Sequence, residues 1–234
     1  MHGTRCDEHP SGDRRVEPAH DATSTRADSL TRALGIVALT GVAFITVTCL
    51  LAQTLRTDLD WITVSMSIYV KGPYGRWVQA SFFAPAPGIA ALAIGWYRAL
   101  DRRVRSVFPL ILFVVAAAAL CITAFFIADA TRWPTTLHGK IHQWAAFGTF
   151  ICVTTAALLQ SLRLRFDSHW REQFIEATTI ASVSVVYFWV YALSPIPRGV
   201  GEKAVIALVL LWLWRASWWL VRCAPPLTVI MSRP

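Results

Sequence analysis

With 234 residues the chain is long enough for one or two soluble domains, but 55% hydrophobic against 15% charged residues and a mean hydropathy of +0.48 do not suit a water-soluble exterior. The formal net charge of +8 sits on arginines scattered through short segments between apolar blocks, which argues against a nucleic-acid partner and for membrane orientation. Cys6, Cys49, Cys121, Cys152 and Cys223 form no CxxC and place no pair in a loop, so neither a disulfide framework nor a zinc cluster is supported.

Residues 1–32 are polar and Pro-containing, with almost nothing apolar to bury, the composition of a disordered cytoplasmic tail. It is too long and too acidic for the n-region of a signal peptide, and the apolar block after it outruns a signal h-region, so a retained first helix is expected. Arg14 and Arg15 are not closely followed by a hydrophobic region, which disfavours a twin-arginine export signal. Six apolar blocks follow: Leu34–Leu55, Trp77–Tyr97, Val107–Ala128, Gln143–Leu162, Ala177–Leu193 and Ala204–Val221. Their lengths match a hydrocarbon core of roughly 30 Å crossed at about 1.5 Å per residue. Helix is required, because a lipid-facing backbone must satisfy its own hydrogen bonds. The expected fold is an all-α polytopic bundle of six transmembrane helices in three hairpins over residues 33–222, with a short cytoplasmic tail at 223–234.

Lys and Arg number 14 on the side of the tail and the loops at Arg98–Arg105 and Arg163–Arg171, against seven on the other side. This bias predicts a plasma-membrane protein with both termini in the cytoplasm. Arg215, the one charge inside the six blocks, is expected to snorkel to the inner interface beside Trp218 and Trp219. Pro85 and Pro87 each remove a backbone donor and predict a kink in the second span. Trp212, Trp214, Trp218 and Trp219, with Tyr187, Trp189 and Tyr191, read as packing and interface aromatics before a ligand cage.

The polar residues with chemical potential gather on the predicted outer side. Asp60, Ser67 and Tyr69 follow the first span, Asp129 ends the third, His138 and His142 open the fourth, and Arg198 precedes the sixth. These seven form the candidate site. The stretch Ser-x-Tyr-x-x-Gly-Pro-Tyr-Gly (Ser67–Gly75), the acid Asp129 and the run His138-Gly139-x-x-His142 resemble the membrane family known as domain of unknown function 998. The similarity covers about residues 33–222 and leaves the tail outside. The family has no established activity, so the resemblance implies a fold and a location. The third span here ends Phe126-Ile127-Ala128-Asp129, without the proline that family members often carry before that acid.

His138 and His142 are four apart and would share a helix face, but no acid lies between them and Lys140 would repel a metal, so capping and hydrogen bonding are the favoured roles. Only His142 and His169 flank spans, on opposite sides, which does not suit a haem. No block carries an Asp, Glu or Lys at mid-depth, which lowers ion-coupled transport. No cofactor and no metal are expected. The leading expectation is a membrane protein with an outward polar site for lipid headgroups, a small molecule or a membrane partner. The alternative is a membrane-embedded hydrolase or transferase using Asp60, Asp129, His138 and His142. Antiparallel packing of the third and fourth spans is further expected to pair Asp129 with His142 at the centre of the site.

Overall fold

A computed structural model describes residues 19–130 and 135–223, with side chains for 29–130 and 135–222. The residues expected to form tails that lie before Ala19 and after Cys223 fall outside this description. Seven α-helices are present among the described residues: α1 (Ala19–Leu55), α2 (Gly75–Phe83), α3 (Pro85–Ala99), α4 (Val107–Phe125), α5 (Leu137–Leu164), α6 (Phe174–Leu193) and α7 (Arg198–Cys223). They make six spans long and apolar enough to cross a membrane, the second being α2 and α3 end to end. Leu50, Ile111 and Val186 are among many large apolar side chains turned outward, an exterior that only lipid can cover. The chain is an all-α, multi-pass integral membrane protein.

Most helices outrun their apolar blocks, whereas α4 stops at Phe125, short of the expected Ala128, where the chain turns extended at Phe126. α1 is already helical from Ala19, ahead of Leu34, and α7 begins at Arg198, ahead of Ala204. Backbone hydrogen bonding continues a helix through polar residues once its apolar part is fixed, so hydropathy alone marks helix ends poorly. As a consequence Glu176, Glu202 and Lys203 lie inside helical spans, where the block reading had placed only Arg215.

The spans close into a ring: α1 packs on α3 and α7, α3 on α4, α4 on α5, α5 on α6, and α6 on α7. Small side chains permit the approach, with Ala38, Ala93, Ala116, Ala156, Ala177, Ala181 and Ala216 all buried. Close backbone contact replaces the hydrophobic drive that lipid cannot supply. The expected break in the second span falls at Ala84, where Pro85 and Pro87 withhold amides and α3 starts afresh.

The face bearing the α3–α4 and α5–α6 connections, here the proximal face, is tied by structural hydrogen bonds. Asp167 accepts from the Asp101 amide at 2.9 Å and the His169 amide at 3.0 Å, and Trp170, fully buried against Trp96, donates Nε1–H to the Ala99 carbonyl at 3.2 Å. Arg215 does not reach the interface alone. Its Nη2 donates to Glu176 Oε2 at 2.8 Å and its Nε to Oε1, joining α7 to α6, while the guanidinium lies over the Trp219 ring. A neighbouring carboxylate at the same depth is a nearer partner than distant headgroups.

Candidate functional site

The opposite, distal face is built around the 56–74 connection. Arg56, buried at the end of α1, donates through Nε and Nη2 to the two Asp58 carboxylate oxygens, each at 2.8 Å, and through Nη1 to the Lys71 carbonyl at 2.6 Å. Its guanidinium holds the Asp58 carboxyl below the usual carboxylate range. The clamp closes a turn with φ of +88° at Gly72 and +63° at Tyr74. A Cβ at Gly75 would lie 1.9 Å from the Val70 carbonyl oxygen, so only glycine lets α2 start there. Between clamp and turn, Met66–Val70 forms a short 3-10 helix.

This connection is docked on the start of α7. Lys203 Nζ donates to the carbonyls of Trp61 at 2.7 Å and Val64 at 3.1 Å, and the Val200 amide donates to the Ile62 carbonyl at 3.0 Å. One residue before that lysine, Glu202 turns inward, and its Oε1 accepts the Ser67 amide at 3.3 Å. No cation lies in ion-pair contact with the Glu202 carboxylate among the described residues.

Asp129 and His142 do not pair, contrary to expectation. Asp129 Oδ2 accepts the amides of Thr135 at 2.8 Å and Thr136 at 2.9 Å, and Oδ1 accepts the Thr136 hydroxyl at 2.8 Å. The carboxylate thus secures the entry to α5, and the Thr136 amide and hydroxyl hold its pKa below the ordinary value. Gly139 leaves it room: a Cβ there would come within 2.3 Å of Oδ2. His142 sits further along α5 and is 7% exposed. Its Nδ1 lies 2.9 Å from the Thr123 carbonyl and 2.7 Å from the Phe126 carbonyl at the open end of α4. Two acceptors require Nδ1 to carry the proton, which leaves Nε2 as a lone pair. Among the described residues Nε2 has no hydrogen-bond partner. Each of the two residues is satisfied by nearer backbone groups, which removes the drive to pair.

The remaining candidates divide sharply. Asp60 is exposed and accepts the Thr63 hydroxyl at 2.6 Å and the Ile62 amide at 3.1 Å, which hold its carboxyl low while it orders its own loop. The exposed His138 ring packs on Phe126, with centroids 5.1 Å apart. Tyr69 is fully buried in the core beneath Lys203. Ser67, His142 and Arg198, in contrast, line one cavity of about 250 Å³, together with Glu202, Tyr191, Ser194 and the aromatic seam of Phe147, Phe150 and Phe188 between α5 and α6. Ser67, His142, Ala146, Phe150 and Glu202 also line a second chamber of about 100 Å³, largely apolar, which extends toward the bundle axis. A larger groove of about 430 Å³ between α1 and α7 is nearly all apolar. The structure therefore gathers three of the seven sequence candidates and adds Glu202 and Tyr191. Of the four residues a hydrolase would need, His142 alone lines the cavity. Among the described residues no three metal-ligating side chains cluster.

A family model matches residues 36–219, from the middle of α1 to near the end of α7, and so takes in all or most of each of the six spans. The chain belongs to the family described as protein of unknown function (DUF998). No curated protein and no solved structure matches it. In this DUF998 member the stretch Ser67–Gly75 supplies the amide that meets Glu202 and the turn closed by Arg56, while the His138–His142 run opens α5 and sets His142 in the cavity wall. Glu202 is four residues after Arg198, so both fall on one face of α7. That spacing was the available signal, and it lay just before the apolar block.

Proposed function

We propose that this protein lies in the plasma membrane with both termini in the cytoplasm and that the distal cavity, facing outward, binds the polar head of an amphiphilic ligand. The 14 to seven split of Lys and Arg supports the orientation. The observation that carries the binding role is the cavity's division into a polar end, with Ser67, His142, Arg198 and Glu202, and an aromatic wall of Phe147, Phe150 and Phe188. Small-ligand sites share this composition, apolar walls with a few convergent polar groups. The bilayer around the bundle supplies molecules of matching build, with a polar head and an apolar body.

Ala146 lines both chambers, so Ala146→Phe fills the space without removing a polar group. Mass spectrometry of protein purified in mild detergent should find the amphiphile retained by the wild type reduced about tenfold or more in the variant. Equal retention by a variant that elutes and melts like the wild type would contradict the proposal.

A further inference from the structure

The cavity presents hydrogen-bond acceptors at its deep end and donors nearer the distal face. At the deep end are the Glu202 carboxylate, which faces the amides of Met66 and Ser67, the latter at 3.3 Å, and makes no ion pair among the described residues, and His142, whose Nδ1 is taken by two carbonyls. The Ser67 hydroxyl, 3.0 Å from that of Ser65, joins them on the wall. One helical turn earlier on the same face of α7, about 6 Å closer to the distal face, stands Arg198, with the Tyr191 hydroxyl beside it.

A carboxylate and an imidazole lone pair that share a cavity demand donors and a positive charge. An ammonium group answers both, since it brings three N–H donors and one unit of charge to the three acceptors. The guanidinium and phenol further out suit an anionic oxygen. The aromatic seam adds ring faces that attract a cation. From this polarity we infer that the ligand is a zwitterion, its ammonium seated deep between Glu202 and His142 and its anionic oxygen held outward at Arg198. The inference rests on the proposed head-binding role and narrows its chemistry. An aminoethyl phosphate has the required order of charges, and it could come from a lipid headgroup or from a free small molecule.

The test is native mass spectrometry of the full chain with three probes: phosphatidylethanolamine, phosphatidylglycerol, which has the phosphate but no amine, and free phosphoethanolamine. The inference predicts that an amine-bearing probe binds about tenfold or more tightly than phosphatidylglycerol. Binding of the lipid alone identifies a headgroup, and displacement of it by free phosphoethanolamine identifies the small molecule as sufficient. Glu202→Gln keeps an oxygen for the Ser67 amide, so the bundle should assemble while the preference for amine disappears. Equal binding of the two lipids overturns the zwitterion inference and leaves the amphiphile reading standing. A preference that survives Glu202→Gln overturns it too. Binding of none of the three, with Ala146→Phe also without effect on retained lipid, overturns both.

Discussion

Glu202 and Asp129 are carboxylates at one membrane face, and their neighbours give them opposite uses. Asp129 accepts two amides and a hydroxyl at the entry to α5, so its charge is consumed in holding the chain. Its folded pKa is depressed, chiefly by the Thr136 amide, so its contribution to stability is present above the ordinary Asp value of about 3.9 and is lost as pH falls through the lowered folded value. Asp129→Ala should therefore lower the melting temperature in detergent at about pH 7, and the difference from the wild type should shrink toward about pH 3. A difference independent of pH would place the effect elsewhere. The sequence made Asp129 and His142 legible as residues of interest, because an acid and a histidine flank one hairpin loop. It could not show that backbone groups would claim both, since the donors and acceptors of a helix end appear only once the end is placed. Glu202 was missed for a related reason: hydropathy ends a span where the polar residues begin, whereas the helix continues to Arg198.

At the scale of elements, buried or membrane-embedded charges fasten pieces that hydropathy treats as separate. Arg56 ties the end of α1 to the turn before α2, and a lysine cannot reproduce its fork toward Asp58 together with the third bond to Lys71. Arg56→Lys should cost about 1–3 kcal/mol by thermal unfolding, the range for leaving a buried group without its partner. No measurable loss would show that water serves the turn equally well. Between α6 and α7, Arg215→Gln and Glu176→Gln should each destabilise more than the double variant implies, with a coupling of about 0.5–3 kcal/mol in a double-mutant cycle. Strict additivity would mean that each side chain reaches the interface independently. The broken second span, by comparison, could be read directly, because Pro85 and Pro87 cannot supply the amides a continuous helix needs.

The six spans were legible as a whole because long apolar blocks have one solution in a bilayer. Their closure into a ring with a polar pocket off its axis was not, since it depends on which alanine faces meet. The two membrane faces differ in kind: the proximal connections are bonded to one another through Asp167 and Trp170, while the distal face keeps hydrogen-bond acceptors in the wall of a cavity. Reporter fusions after Arg103 and Arg165 should read as cytoplasmic and one at Arg198 as external, and the reverse at all three would invert the orientation. The occupancy of the cavity is tested most directly by photocrosslinking in membranes with a lipid that carries its reactive group near the head. The account predicts labelling concentrated on Phe147, Phe188 and Tyr191, which line the cavity, and its loss in Ala146→Phe. Labelling spread evenly over outward residues such as Leu50, Ile111 and Val186, and unchanged by that substitution, would contradict it.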